Sequence, residues 1–329
     1  KKTVAGALGG MLGAVVGGSL RIDRVDVGLF DLCCKPLRST TRPLDLPAVG
    51  PESCTAEIAE TVTQLLQDAG VDRSACCGVG ITVPGPVDMP DGVISQISAA
   101  PLWQGFPLAG RLSEALHLPV AADKDVYAAV SYLKHSGRPD KDKCTVYLSI
   151  CEGIGSALYA DGRVFRGRHS LAGEIGHLTV RRDGIPCHCG NTGCLELYCS
   201  DIGIVQQYNA QAAHRCTHIG EVVERLQKGD AVAVKVIAQA IRYLVDMTSS
   251  IIMSYDPDEL LIYCSWLSQQ RSLYFHMLDA LYAKSTLTRR HTVDIKLLEE
   301  EPLNLNAAGA LACSELLLRA DSPFMERLK

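Results

Sequence analysis

The sequence has no excess of positive charge. Its 32 lysine and arginine residues are outnumbered by 37 aspartate and glutamate residues, which gives a net charge of −5 and an isoelectric point near 6.0. A chain with this balance lacks the overall basic footprint of proteins that bind nucleic acid. Any contact with DNA is therefore predicted to depend on a segment that is not readable here.

The sequence also has no internal repeat, no low-complexity linker and no initiating methionine. The last absence indicates a fragment, or numbering from an internal residue, with a segment missing upstream. An apolar run from Val4 to Leu20 follows Lys1 and Lys2, and it imitates a signal peptide or a marginal membrane span. Because this run is rich in glycine and continues into a strand pattern, we predict neither export nor membrane insertion.

Length and cysteine content narrow the class of protein. A chain of 329 residues, of which 47% are hydrophobic, can bury a sizeable core, and its length suggests two domains. Fourteen cysteines would indicate disulfides in a small secreted domain, but in a chain of this size they are typical of reduced thiols in the cytoplasm. The pairs Cys33-Cys34 and Cys76-Cys77 are interpreted as strand or core residues rather than redox centres.

Residues that can bind metal are concentrated between Leu171 and Ser200. One imidazole and three thiols fall within eighteen residues: His177, Cys187, Cys189 and Cys194. Three thiolates and one imidazole describe a closed tetrahedral structural zinc site, with no position left for a reactive water. The alternatives are buried free thiols, or a disulfide between two of them. His188 lies between two of the ligands and is predicted to point away from the ion.

The residues around this cluster suggest a ligand site beside the metal. Gly190 and Gly193 are predicted to turn the chain so that Cys194 returns to the ion. Glu174 and Glu196 bracket the cluster, and a folded knuckle would bring both carboxylates close to His177. Two acidic acceptors beside a metal-fixed imidazole are suited to a polyhydroxylated ligand.

The same stretch resembles the signature of the ROK family, which contains bacterial sugar kinases and sugar-responsive transcriptional repressors. The resemblance rests on G-E-x-G-H-x-x-V followed by C-x-C-G-N-x-G-C-L-E and a serine four residues later, and it extends weakly over nearly the whole chain. It implies an α/β, two-domain actin-like ATPase fold, a ribonuclease H-like duplicate whose mixed sheets are flanked by helices, with a zinc knuckle. We expect a linker or upstream remnant at 1–18, a smaller α/β domain at 19–121 plus 306–329, and a larger domain with the knuckle and dimerisation helices at 122–305.

The resemblance also shows where this chain departs from the kinases. In ROK kinases an acidic residue precedes Gly-Gly-Thr, a tight turn whose backbone approaches the phosphates of ATP. Here Ser19 takes the acidic position, and Gly-Gly-Thr is replaced by Arg21, Ile22 and Asp23. Two of the new side chains fill space that phosphate needs, and Asp23 adds like charge.

Two further nucleotide contacts are altered in the same comparison. The second phosphate loop keeps Gly153 and Gly155, but Glu152 occupies the position of a hydroxyl. The family's Gly-Gly-Gly loop under adenosine is replaced by Tyr263-Cys264-Ser265. The phosphate loops are therefore expected to be degraded.

On the sugar side the resemblance is better preserved. Asp123 matches the general base that accepts the proton of the attacking sugar hydroxyl, although from the residues alone it could equally cap the following helix. It would bind ligand together with Glu174, His177 and Glu196. Two amides of the family are replaced by Ala99 and Ala122, which would weaken sugar binding.

Two functions follow from the resemblance. The favoured one is the effector-binding and oligomerisation region of a regulator in the Mlc/NagC-like branch. Three features of the sequence support it: Leu20-Arg21-Ile22, a closing helix predicted at Asn306–Leu318, and the terminal Met325-Glu326-Arg327-Leu328. Its ligand would be a sugar, a sugar phosphate or a regulatory protein, its cofactor structural Zn²⁺, and its assembly a homodimer or homotetramer. No helix-turn-helix is readable before Ser19, so DNA would be bound only through a missing upstream domain. The alternative is a sugar kinase that uses ATP and Mg²⁺ with Asp123 as base.

Overall fold

The computed structural model describes residues 13–89, 91–135, 143–284, 293–300 and 305–317. The chain divides into two compact units. Unit 1 comprises Lys1–Pro139, Gly167–Leu171 and Pro302–Lys329, and unit 2 comprises Asp140–Arg166 and Ala172–Glu301. The terminal motif at residues 325–328 lies outside the described residues, as do residues 1–12 of the expected linker.

Unit 1 is built on a five-stranded mixed sheet. Its strands are β1 (Ala14–Leu20), β2 (Arg24–Asp31), β3 (Pro36–Pro43), β4 (Cys76–Val83) and β7 (Val120–Lys124), and a separate short hairpin contains β5 (Val87–Asp88) and β6 (Val93–Ile94). Its first three helices are α1 (Pro51–Ala69), α2 (Leu108–Leu116) and α3 (Asp125–His135). The strand order is β3-β2-β1-β4-β7, with the first three strands antiparallel and β4 and β7 added parallel to β1.

Strand β1 corrects the N-terminal boundary. The strand begins at Ala14, and all seven of its residues are buried. The prediction of a linker over residues 1–18 is therefore wrong from Ala14 onward, because Val15 and Val16 are core residues. Alternating apolar residues at 19–35 predict a hairpin with its turn at Asp23-Arg24. The hairpin is present, but its turn lies at residues 21–23, since Arg24 already belongs to β2.

Helix α1 illustrates how well local patterns predict this fold. Apolar residues at helical spacing, among them Ile58, Val62 and Leu65, are buried in the core of unit 1. Gly70 ends the helix in the left-handed region at φ 66°, as a C′ glycine is expected to do. The pattern predicts a helix over residues 56–69. The helix starts earlier, at Pro51, because proline is favoured in the first turn.

Unit 2 repeats the sheet arrangement of unit 1. Its strands are β8 (Thr145–Ile150), β9 (Ile154–Ala160), β10 (Arg163–Phe165), β11 (Glu259–Cys264) and β12 (Asp294–Leu297). Its helices are α4 (Glu196–Cys199), α5 (Asp201–Asn209), α6 (Ile219–Gln227), α7 (Ala231–Tyr255), α8 (Ser265–Gln269) and α9 (Arg271–Lys284). The order β10-β9-β8-β11-β12 again joins three antiparallel strands to two parallel ones, so the expected structural duplication is present without sequence repeats.

Helix α7 forms the spine of unit 2. Asp230 caps its N-terminus by accepting hydrogen bonds from the N–H groups of Val232 and Ala233. Within the described residues it is the one helix long and apolar enough to cross a bilayer, yet 61% of its most apolar window is buried inside the protein. A buried core helix passes the same test, so α7 is weak evidence for a membrane span.

The closing helix α10 (Leu305–Ala312), followed by a π-helical turn at Cys313–Leu317, packs on the sheet of unit 1 as the sequence predicts. It contacts β1 and β4 closely because glycines stand at the contact points. A Cβ added to Gly17 would lie 2.5 Å from the backbone nitrogen of Gly309, and one added to Gly80 would overlap the carbonyl oxygen of Ala308. The helix position is therefore set by direct backbone contact.

Candidate functional site

The segment between His177 and Cys194 folds back on itself as a knuckle. Isolated β-bridges join Thr179 to Cys194 and Pro186 to Thr192. Gly190 and Gly193 both have left-handed backbones, with φ of 89° and 72°, and a Cβ on Gly193 would overlap the Arg181 carbonyl oxygen. These glycines therefore turn the chain as their spacing predicts.

The knuckle brings the four predicted metal ligands together. The ligand atoms of His177, Cys187, Cys189 and Cys194 all lie within 4.8 Å of one another. Two sulfurs, those of Cys189 and Cys194, are 3.7 Å apart, and the Cys187 sulfur is 3.7 Å from His177 Nδ1. Thiolates bound at ~2.3 Å to a tetrahedral ion would stand ~3.8 Å apart, whereas a disulfide requires ~2.0 Å. The donor set and its spacing fit a tetrahedral Zn²⁺ better than a disulfide.

Burial shifts the pKa values of the knuckle thiols. Burial raises the pKa of the Cys194 thiol to about 12 and also raises the pKa of Cys187 above its ordinary value. Thiolates in such a place require a nearby positive charge, which a divalent cation would supply. Asn191 supports the turn by donating from its side-chain amide to the carbonyl oxygen of His177 at 3.1 Å.

Glu196 lies between the knuckle and the β8–β9 turn, at the start of α4. One carboxylate oxygen accepts the N–H of Ile154 at 2.9 Å, and the other lies 3.6 Å from Nε2 of His188. His188 is not part of the cysteine cluster, in agreement with the sequence. It instead forms a second group with His177 and Glu196, whose ligand atoms lie within 4.8 Å of one another.

The other predicted residues of unit 2 flank the same place. Glu174 immediately precedes the 3₁₀ turn at Ile175–His177, and its carbonyl oxygen accepts the His177 N–H at 3.2 Å. Glu152 is half-buried in the β8–β9 turn, followed by Gly153 and Gly155. A Cβ on Gly153 would lie 2.9 Å from a carboxylate oxygen of Glu196. Glycine at 153 is thus explained by the close approach of Glu196, without any phosphate.

In unit 1 a polar row crosses the sheet at the carboxyl ends of its parallel strands. Ser19 of β1 is in register with Thr82 of β4, and Thr82 is in register with Asp123 of β7. All three are buried, at 4%, 1% and 1% exposure. Ligands of α/β proteins bind at this end of parallel strands. Asp123 lies inside strand β7, two residues before α3 begins.

Thr82 is a candidate site residue that sequence reasoning missed. Among the described residues its hydroxyl has no hydrogen-bond partner although it is buried, a state that costs free energy. The available signal was a lone hydroxyl at the end of an apolar strand, directly before Val83 and the Pro84-Gly85-Pro86 turn. With Ser19 and Asp123 on either side, Thr82 completes a row of three buried polar side chains across the sheet.

The two alanines are placed differently from each other. Ala99 is exposed, in the loop before the 3₁₀ turn at Pro101–Trp103. Ala122 belongs to the hydrophobic core and is in register with Ile81, on the opposite face of β7 from Asp123. Its placement gives no support to the prediction that a ligand amide is lost at this position, because a side chain at 122 faces the core.

The turn that replaces Gly-Gly-Thr is tied down by its own hydrogen bonds. The Arg21 N–H donates to the Arg24 carbonyl at 2.8 Å, and the carbonyl of Ile22 accepts the Leu46 N–H at 2.9 Å. The Asp23 carboxylate is 63% exposed and pairs with the Arg24 guanidinium at 2.9 Å. In this turn the Asp23 carboxylate faces solvent and the Ile22 side chain packs against the core, so the backbone is not left bare.

The segment that replaces the triple glycine is regular structure. Strand β11 continues through Cys264, which is completely buried, and α8 starts at the next residue. The Ser265 hydroxyl donates to the Asp201 carboxylate, and the Trp266 indole N–H donates to the Cys199 carbonyl at 3.1 Å. No glycine-lined loop is present at residues 263–266.

Two duplicated α/β units, a knuckle whose four side chains could hold a metal ion and a polar row at the strand ends define a protein with the actin-like fold of the ROK sugar kinases. The ROK family model matches residues 25–315. The chain belongs to the ROK family.

Relatives in this family include both enzymes and regulators. A glucokinase of Halalkalibacterium halodurans is 29% identical over 63% of this chain and 67% of the relative. The DNA-binding transcriptional dual regulator NagC of Escherichia coli is 24% identical over 74% of this chain and 62% of the relative. The chain thus spans roughly two thirds of either relative's length.

Solved structures divide in the same way. A ROK hexokinase from Thermus thermophilus is 28% identical, with a TM-score of 0.72 over 90% of this chain and 96% of the other. A ROK transcriptional regulator described as a homologue of the E. coli MLC protein is 25% identical, with a TM-score of 0.78 over 92% and 78%. Similarity alone therefore does not separate the two functions.

Proposed function

We propose that this chain is the effector-binding and oligomerisation region of a sugar-responsive ROK transcriptional regulator. In this proposal the residues that bind nucleotide in ROK kinases have been replaced, so ATP is not bound. The residues on the sugar side are retained and bind the effector. The protein acts in the cytoplasm, and DNA is bound by a part of the protein outside these 329 residues. The observation that carries the proposal is the turn at residues 21–23.

That turn argues against ATP binding on physical grounds. A phosphate chain approaches backbone N–H groups only where side chains leave room, which is why glycine is used in such turns. Here Ile22 packs against the core, and the Asp23 carboxylate would face the phosphate oxygens with like charge. A steric or like-charge defect of this kind weakens ATP binding by about 1–3 kcal/mol. The altered residues near 152 and 264 weaken ATP binding further.

The polar row in unit 1 supports the same conclusion. Mg²⁺ prefers carboxylate ligands, and nucleotide sites supply them beside the phosphates. Ser19 places a neutral hydroxyl at the end of β1, so the buried row Ser19–Thr82–Asp123 contains a single carboxylate. Hydroxyls and one carboxylate are suited to the hydroxyl groups of a sugar.

In unit 2 the knuckle is proposed to hold one structural Zn²⁺, which fixes His177. Glu174, His177 and Glu196 would then accept and donate hydrogen bonds to adjacent sugar hydroxyls. In unit 1, Asp123 is proposed as an acceptor for a hydroxyl. A sugar phosphate or a regulatory protein remains an alternative effector, because the exposed Ala99 offers no amide.

The alternative function is ATP-dependent phosphorylation of a sugar with Asp123 as general base. One observation favours it: Asp123 is retained at the carboxyl end of β7, buried, with its side chain accepting the N–H of Lys124 at 2.8 Å. A carboxylate so placed could take the proton of a bound hydroxyl. The two functions differ in whether bound sugar is turned over.

Calorimetry combined with a coupled ADP-release assay tests the proposal. The ligand panel follows the relatives: glucose, xylose, N-acetylglucosamine and their 6-phosphates. We expect saturable binding of at least one ligand and no ADP release above the level of the Asp123→Asn variant. ADP release that depends on both sugar and Asp123 would favour the kinase.

A grafted turn supplies the matched control. Replacing Arg21, Ile22 and Asp23 by Gly-Gly-Thr restores bare backbone at that place without touching the residues of unit 2. The graft is expected to strengthen binding of an ATP analogue by about tenfold or more, which corresponds to removal of a defect of ~1.4 kcal/mol. Equal ATP binding by the original and the grafted chain would remove the main support for the regulator.

A further inference from the structure

Two adjacent-cysteine pairs, distant in sequence, meet a third cysteine in unit 1. Cys34 and Cys77 pack against a small core cluster formed by Val15, Phe30, Ala312 and Cys313. Cys34 therefore lies against the cluster that contains Cys313, and each thiol shifts the pKa of the other. Cys33 and Cys34 lie in the β2–β3 turn and not in a strand, with Cys33 exposed and Cys34 packed on the core cluster. Cys76 and Cys77 do belong to β4.

The contact is held from both sides by rigid structure. On one side, the β2–β3 turn is fixed by Asp31, whose carboxylate accepts the N–H groups of Cys33 and Lys35 at 2.9 Å each. Cys34 has a left-handed backbone with φ 60°, and its N–H donates to the Asp31 carbonyl at 2.9 Å. On the other side, Cys313 directly follows α10, which is seated by the backbone contacts at Gly17 and Gly80. The fold therefore fixes both segments, with Cys34 packed on the cluster that contains Cys313.

We propose that Cys34 and Cys313 form an oxidation site, at which hydrogen peroxide converts the two thiols into a reversible disulfide. The Cys34 thiolate attacks one peroxide oxygen, the O–O bond breaks, and water leaves, so that Cys34 becomes a sulfenic acid. The Cys313 sulfur then attacks the Cys34 sulfur, loses its proton, and displaces the hydroxyl as a second water. Two thiols and one peroxide give one disulfide and two waters.

The local environment assigns the two roles. Cys34 is only half-buried, so it is the thiol that peroxide reaches first. Cys313 is buried, so it reacts second. The other facing groups are the Asp31 carboxylate, which raises both pKa values, and Cys77, which is a competing thiol.

The disulfide would tie the end of the closing helix to the β2–β3 turn. Because residues 34 and 313 lie near opposite ends of the chain, the bond closes a very long loop and restricts the unfolded state strongly. The oxidised protein should therefore melt at a higher temperature than the reduced protein. This site is independent of the proposed function, and its test uses neither sugar nor nucleotide.

Peptide mapping of the full chain after mild peroxide treatment tests the proposal. Cys33 and Cys34 share one tryptic peptide, so the mapping is done in a Cys33→Ser variant, which also serves as the matched exposed-thiol control. We expect a linked peptide containing Cys34 and Cys313, its reversal by dithiothreitol, and a melting temperature about 3 °C or more higher when oxidised. Cys34→Ser should abolish the link and the shift.

Several outcomes would overturn the proposal. These are a link from Cys34 to the peptide of Cys76 and Cys77, loss of the link in Cys33→Ser, or oxidation of Cys34 to sulfinic acid without any link. If Cys313→Ser does not fold because the residue is buried, the mapping in Cys33→Ser and Cys34→Ser still decides the question. Disulfides among the knuckle cysteines fall in other peptides and are counted separately.

Discussion

At the scale of single residues, the His177–Cys187–Cys189–Cys194 cluster was predictable and the row of Ser19, Thr82 and Asp123 was not. The four knuckle ligands share a short sequence spacing, so their meeting depends only on local turns at Gly190 and Gly193. Thr82 meets Ser19 and Asp123 through strand pairing over long distances in sequence, which no local pattern encodes. The same reason hid the contact between Cys34 and Cys313.

The knuckle gives the first residue-scale prediction. Elemental analysis should find one Zn²⁺ per chain in the original protein and almost none in Cys194→Ser, because the lost thiolate leaves three donors. Loss of the metal should lower the free energy of unfolding by about 3–5 kcal/mol, measured by denaturant titration. His188→Gln is the matched control and should keep its zinc. Metal absent from the original protein, or lost equally from both variants, would refute the assignment.

Thr82 gives the second. Thr82→Val keeps the shape of the side chain and removes a buried hydroxyl without a partner in the described structure, so the ligand-free variant should be as stable as the original or up to about 1 kcal/mol more stable. Sugar affinity should fall about three- to tenfold if the hydroxyl binds ligand. Thr248→Val, another buried unpaired hydroxyl, on α7 in unit 2, should match the stability effect and leave affinity unchanged. Equal affinities in the two variants would exclude Thr82 from the site.

At the scale of secondary-structure elements, the main strands and helices follow from periodicity, but their contacts do not. Apolar runs predict strands at Cys77–Val83 and Thr145–Ile150 and a long helix at Asp230–Met253. These lie within two residues of the observed bounds of β4, β8 and α7. The glycines of β1 are different, since the sequence alone made them look like a linker. The role of Gly17 is visible only in the folded chain, where α10, almost three hundred residues later, lies against it.

That contact makes a prediction about α10. Gly17→Ala should lower the free energy of unfolding by about 1–3 kcal/mol, because the added Cβ would lie 2.5 Å from the Gly309 nitrogen and must push the helix off the sheet. Gly110→Ala is the matched control, since a Cβ there meets nothing within 4 Å and alanine favours the helix α2. Chemical denaturation measures both. A neutral Gly17→Ala would mean that α10 is not seated as described.

At the scale of the whole molecule, the fold and the family were predictable because the knuckle signature is specific, while the function was not. The same duplicated fold is shared by a hexokinase and a transcriptional regulator. What separates the proposals is a handful of side chains at residues 19–23, 152 and 263–265. These side chains reduce the space available to a nucleotide and add negative charge beside it. A binding or turnover measurement decides between the two functions.

Assembly is the last property argued at this scale. We propose that α7 forms part of a homodimer or homotetramer surface, because Val234, Met253 and Tyr255 leave large apolar area exposed on a helix whose other face is core. Light scattering should give at least twice the chain mass of 35.4 kDa, and Met253→Glu should weaken association about tenfold or more. Leu102→Glu, at a comparably exposed leucine in unit 1, is the control and should leave the assembly intact. If Leu102→Glu dissociates the protein and Met253→Glu does not, the interface lies on unit 1, because a charge disrupts association only where water is excluded.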